Sequence, residues 1–244
     1  MEPTKKTARL AGLLWLLMII FGLFAQVGVR ESLIVAGSAE ETAANITANP
    51  LLFRLGFVSD LTMMVCYLLT PLVFYKLFAA VNKTLSAMTV VFGLMGTAIG
   101  MTALLCEFAA LQVLSGAQYL SAIDARQLQA QAMLLLELND HGYMIAHIFF
   151  SLWVLPLGIL VYRSGFLPRI FGILFVLESL LGLLAFLVHF LSPNTDLEMN
   201  LMCVGAAAEI LFTFWLLIRG IKEPRANAAK PISEKPLEGS CITA

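Results

Sequence analysis

Long apolar runs alternate with short polar breaks along this chain, and the runs set its architecture. Crossing about 30 Å of hydrocarbon takes roughly 20 apolar residues in a helix. Six segments reach that length: 10–29, 53–78, 85–114, 141–161, 170–191 and 201–218. The pattern predicts an all-α polytopic membrane protein with six transmembrane helices. The first run follows Lys5, Lys6 and Arg9 as a signal peptide would. Its apolar core is too long for one, however, and Leu23 stands where cleavage before Gln26 wants a small residue, so it is read as an uncleaved span.

Two polar intervals are long enough to carry structure of their own. In GSAEETAANITANP, Ser38 with Glu41 three residues on makes a capping box, the alanines favour helix and Asn49-Pro50 stops it. A short outer-loop helix over about 39–48 follows. In SAIDARQLQAQAMLLLELND the composition is again helical, which predicts a second short helix over about 121–138 or a helix that runs directly into the fourth span. Residues 1–9 form a short N-terminal segment. Residues 220–244, with Pro224, Pro231 and Pro236 among charges and alanines, read as a disordered tail.

Composition narrows the class further. Of 244 residues, 60% are hydrophobic and 13% charged, against roughly 25% charged in soluble domains. The net charge of -1 conceals an asymmetry. Lysine and arginine accumulate in cytoplasmic loops, and alternate segments here hold twelve and three of them. Lys5, Lys6, Arg9, Lys76, Lys83, Arg163, Arg169, Arg219, Lys222, Arg225, Lys230 and Lys235 stand on one side, with Arg30, Arg54 and Arg126 on the other. Both termini are therefore expected in the cytoplasm. Tyr75 and Tyr162, each one residue before a cation, fit as interfacial aromatics. No basic stripe interleaved with aromatics points to nucleic acid. The four cysteines are far apart, which argues against a disulfide framework or a thiolate metal site.

The chemistry lies in ionisable residues set inside apolar runs. A carboxylate at mid-bilayer costs about 2.5–3.5 kcal/mol on insertion scales, so it faces the bundle interior or a wet cavity. Asp60 stands roughly 9 Å inward from Arg54 at the helical rise per residue. Glu107 and His147 fall in the outer halves of spans 3 and 4, and Glu178 and Glu209 near the middle of spans 5 and 6. Every deep ionisable group is acidic or imidazole. Together Asp60, Glu107, His147, Glu178 and Glu209, with Arg54 at the rim, define a candidate ligand-binding pocket that opens outward. The competing reading makes each carboxyl a hydrogen-bonding contact between helices.

A second cluster stands at the outer end of span 4, in ELNDHGYMIAH. Glu137, Asp140, His141 and His147 fall at helical spacings that put carboxylates and imidazoles on shared faces, a candidate metal site. A solvated helix end would look the same. His189, at the outer end of span 5, is placed to join it. Only His147 and His189 suit axial haem ligation, and three histidines in all cannot serve two bis-histidine haems, so one haem is the ceiling. No cofactor is expected.

The remaining marks are structural. Gly93, Gly96 and Gly100 make a small-residue surface on span 3, suited to close packing on a neighbouring helix, a second copy or a membrane partner. Pro71 and Pro156 predict kinks in spans 2 and 4. The segments from Arg9 and from Arg169 align without gaps at seven positions, including Gly12/Gly172 and Gly22/Gly182, a weak sign of duplication in which Asp60 would answer Glu209. The terminal CITA fits a prenylation box by chance.

GSAEETAANITANPLLFRLGFVSDL, from Gly37, and YRSGFLPRIFGILF, from Tyr162, together with the span pattern resemble the bacterial integral membrane family catalogued as domain of unknown function 4386. The similarity covers about residues 8–219. It implies a multi-pass protein of the bacterial inner membrane and supplies no catalytic residues. The reading favoured is non-enzymatic: an outward-facing acidic pocket binding or passing a small polar or cationic ligand, or protons. The alternatives are an intramembrane metal-dependent hydrolase acting on a lipid-linked substrate, against which the lack of an HExxH motif weighs, and a structural subunit of another membrane protein. On the favoured reading Asp60→Asn folds normally and loses function in a ligand-binding or growth assay; wild-type behaviour of that variant contradicts it.

Overall fold

The structure, a computed structural model, describes residues 4–192 and 195–222. The tail beyond Lys222, with Cys241 and the CITA terminus, lies outside the described residues. Seven helices account for nearly all of the rest: α1 (Lys5–Leu33), α2 (Ala39–Ala48), α3 (Pro50–Phe78), α4 (Lys83–Val113), α5 (Ala125–Ser164), α6 (Arg169–Leu191) and α7 (Thr195–Ile218). All except α2 are long and apolar enough to cross a membrane. No strand occurs among the described residues.

The six long helices close a ring. Each packs on its neighbour in the order α1, α3, α4, α5, α6, α7, and α7 returns to α1. Short connections make sequential helices antiparallel neighbours, and contact between the first and last converts a row into a barrel of helices. One end gathers Lys5, Arg219 and Lys222 around the α5–α6 turn. The other end carries α2, whose buried Ala43 and Ile46 face the bundle. There Ile46 joins Val29, Leu33, Phe53, Ala110, Leu111, Ala132 and Leu136 in a small apolar cap.

The central core is aromatic. Trp15 of α1 is fully buried, with ring centroids of Phe74, Trp153, Phe175 and Phe212 at 5.4–5.7 Å, one ring from each of α3, α5, α6 and α7. Edge-to-face and stacked geometries at this spacing are the favoured ones for ring quadrupoles. In a bilayer, where burying apolar area gives helices no mutual attraction, such packing is what holds them together.

Local structure departs from the sequence reading in three places. The helix expected over 121–138 begins at Ala125 and is not separate but, as the composition allowed, runs directly into the fourth span: α5 is unbroken for 40 residues, with Asp124 accepting the first-turn Arg126 N–H at 3.0 Å. The capping box is half made: Ser38 Oγ accepts from the Glu41 N–H, but the Ser38 N–H goes to the Val35 carbonyl and not to Glu41. Finally, α1 does not end at 29. After Leu23 it widens into a π-helical segment, Phe24–Arg30, and continues through Leu33.

Glycines set the closest helix approaches. Gly93, Gly96 and Gly100 are buried within the chain itself, against Pro71, Phe150 and Met64 respectively. Pro71 therefore sits in a notch that Gly93 provides. On α6, a Cβ at Gly172 would lie 2.6 Å from the Gly158 carbonyl oxygen and 2.7 Å from the Tyr162 nitrogen. Both obstacles are backbone of α5, which cannot rotate aside. Gly172→Ala should accordingly separate α5 from α6 and cost about 1–3 kcal/mol, read as a lower thermal midpoint in detergent. An unchanged midpoint contradicts this contact.

Candidate functional site

The π-helical segment explains the most unusual feature inside the ring. A π turn adds a residue per turn and re-aims the side chains that follow it, and such segments concentrate at functional sites. Here it ends on Arg30. The guanidinium turns inward, donating from Nη1 to Asp60 Oδ2 and from Nη2 to Asp60 Oδ1, the latter at 3.2 Å. Nη1 also donates to Glu107 Oε2 at 3.3 Å, and Nε donates to Gln26 Oε1 at 3.0 Å. The Asp60 and Glu107 side chains are 1% and 2% exposed, that of Arg30 19%. One fork-shaped cation thus bridges carboxylates from two helices, the geometry at which arginine surpasses lysine.

Neighbouring residues permit the approach. A Cβ at Gly56 would lie 2.8 Å from Val29 Cγ1, so glycine lets α3 press against the π segment. Ser59, next to Asp60, donates to the Phe21 carbonyl at 3.0 Å just before the helix widens.

The ring encloses a cavity of about 820 Å³. Arg30 and Asp60 form part of its wall, with Tyr67, Tyr143 and His147 beside them. Glu31, Gly37, Glu137 and Glu198 line it toward the α2 end, where it opens. Its floor is Trp153 and Glu209, above the aromatic core. Glu107 stands behind the wall, touching the cavity only through Arg30.

A second acidic pair lies deeper. Glu178 of α6 and Glu209 of α7 face each other, and Gly205 makes room: a Cβ there would lie 2.6 Å from Glu178 Cγ. Glu178 Oε2 is buried with no hydrogen-bond partner, and Trp15 Nε1, directed toward Glu209, makes no well-formed bond. Buried polar atoms in native structures nearly always have partners. Among the described residues Arg30 is the sole arginine or lysine lining the cavity, and it is already engaged.

Of the residues singled out in the sequence, Asp60, His147, Glu178 and Glu209 share the cavity, and Glu107 is joined to it by Arg30. Arg54 does not belong to the group: it is exposed on α3 and outside the wall, because six residues of helix turn it away from the face that Asp60 presents. Asp140 and His141 come together with His189, their ligand atoms all within 4.8 Å of one another. Glu137 lines the mouth without joining them, and His147 lies deeper, paired with Ser151 Oγ at 3.3 Å. Sequence reasoning passed over Arg30, which looked like a loop cation. The signal was available: two acids inside apolar spans require a cation, and Arg30 ends a span with Gln26 one turn before it.

Fold and site together define a multi-pass membrane protein with a ring of six helices around an acidic cavity. The family described as Domain of unknown function (DUF4386) matches residues 10–220, and the chain belongs to that family. It is also similar to an uncharacterized protein of Archaeoglobus fulgidus, 33% identical over 78 residues. That stretch is 32% of this chain and 46% of the relative, so the chain covers under half of the relative's length. No solved structure matches the chain.

Removing one partner of a buried ion pair costs about 3–5 kcal/mol, whereas removing both costs far less. Arg30→Met should therefore lower the thermal midpoint in detergent more than the triple change Arg30→Met, Asp60→Asn, Glu107→Gln. Arg30→Lys should recover only part of the loss, since an ammonium cannot fork. Equal midpoints for the single and triple variants contradict a structural ion pair.

Proposed function

We propose that the protein binds, from the non-cytoplasmic side of the bacterial inner membrane, a small molecule with a cationic or hydrogen-bond-donating centre and an apolar body. The observation that carries this reading is the Glu178–Glu209 pair, two carboxyls at the cavity floor with one buried oxygen unpartnered and, among the described residues, no lysine or arginine lining the cavity except the engaged Arg30. A cationic or hydrogen-bond-donating centre satisfies facing carboxyls and their unpartnered oxygen, a gain that an apolar ligand does not offer. Tyr67, Tyr143 and Trp153 add ring faces of the kind that stabilise ammonium groups. The cavity's size falls within the roughly 300–1,000 Å³ typical of small-molecule sites. The Arg30–Asp60–Glu107 cluster has the supporting role of holding the wall open, with a fixed charge pattern above the deeper acids.

The orientation belongs to the same proposal. The lysine- and arginine-rich end, with Lys5, Lys76, Lys83, Arg163 and Arg169, faces the cytoplasm by the positive-inside rule, which turns the mouth outward. Tyr119→Cys, at a position 74% exposed beyond the mouth end of α4, should react with an impermeant maleimide in intact cells, and Lys76→Cys only after lysis. The reverse pattern inverts the topology.

Binding is tested with an alkyltrimethylammonium probe and its neutral tert-butyl isostere, titrated calorimetrically into protein in mild detergent. The expected result is saturable binding of the cation, preferred over the isostere, and weakened at least tenfold in Glu178→Gln/Glu209→Gln. Equal affinity for both probes, or an unaffected variant, removes the acidic floor as the recognition element.

A further inference from the structure

The mouth of the cavity carries a second constellation whose chemistry differs from that of the floor. His141, on α5, points Nδ1 at Nε2 of His189, on α6, 2.8 Å away. The carboxylate of Asp140 completes a group whose ligand atoms all lie within 4.8 Å of one another. On its far side His189 uses Nδ1, 3.1 Å from Glu198 Oε2 on α7. That contact fixes the tautomer: Nδ1–H donates to the carboxylate, and Nε2 presents its lone pair to the group. A carboxylate holding the far nitrogen of a histidine is the usual support of a metal-binding imidazole, orienting the ring and raising its basicity.

We infer that Asp140, His141 and His189 form a site for a divalent transition-metal ion of the zinc class at the rim of the cavity, with Glu198 as the carboxylate that orients His189. Two imidazoles and one carboxylate are a ligand set that zinc takes readily, and three protein ligands leave a fourth position for water or a Lewis base. Tetrahedral coordination at about 2.0–2.1 Å per nitrogen separates the two ligand nitrogens by roughly 3.3 Å, so the rings need open by only a few tenths of an ångström. His189 lies two residues before the end of α6, and His141, midway along α5, is exposed, so such a shift disturbs no core contact. Asp140, His141 and Glu198 also line the cavity, so an ion held here shares its rim. The site uses a histidine from α6 and an orienting acid from α7, so it closes one side of the mouth across three helices. It stands independently of what the acidic floor binds.

The rival arrangement is a metal-free relay in which His141 donates to His189 and His189 to Glu198. The two are separated by titrating Co²⁺, then Zn²⁺, into chelator-stripped full-length protein purified in mild detergent without a histidine tag. One Co²⁺ per chain with the visible absorption of a low-coordinate site, displaced by one Zn²⁺, is expected. His141→Ala and His189→Ala should abolish stoichiometric binding, and Glu198→Gln should weaken it by about 10–100-fold. Should the histidine variants lose monodispersity, X-ray absorption of the zinc-loaded wild type serves instead, and two imidazoles in its coordination shell are expected. The absence of stoichiometric binding, binding unchanged in both histidine variants, or a shell without imidazole overturns the site in favour of the relay.

Discussion

Everything around the cavity depends on one cation being turned inward. Asp60 and Glu107 belong to different helices, α3 and α4, and neither has another basic partner among the described residues. Without Arg30 they would be two unmatched buried acids, one in the cavity wall and one behind it. Arg30 comes from a third helix, α1, and only the widened π turn brings it to face them. A local irregularity of backbone thus joins three helices at a depth where lipid can satisfy none of them. The glycine at 56 and the serine at 59 serve the same junction, one by yielding space and the other by occupying the Phe21 carbonyl.

Packing and polarity divide the bundle between them. The half toward the basic end is closed by interlocked rings around Trp15 and by backbone-to-backbone approach at Gly158 and Gly172. The half toward the mouth is held by the ion cluster and by a thin apolar cap in which α2 presses Ile46 against α5. Dense packing leaves no room for a site, so the cavity lies in the half where polar side chains replace interlocked rings.

How much of this could be read from the chain follows from the range of each interaction. The six spans were legible because length and apolarity are local properties, and the deep acids were legible because each is costly within its own helix. Their grouping was not. Asp60 meets Arg30 thirty residues away, and Glu107 meets it from seventy-seven, across contacts that no helical periodicity encodes. The π segment left no mark in FAQVGVR, whose residues would suit an ordinary α-helix equally well. Arg54 misled for the converse reason: one and a half turns from Asp60 is close in sequence and on the wrong face in space. Asp140 and His141 were found by adjacency, whereas Glu198 needed the α6–α7 turn to bring it against His189.

The aromatic floor has a consequence for compartments. Trp15, Trp153, Phe74, Phe175 and Phe212 fill the cross-section beneath Glu209 with rings in mutual contact, drawn from five of the six long helices. Rings packed this closely place a low-dielectric layer between Glu209 and the basic end, the kind of layer that an ion crosses only at high cost.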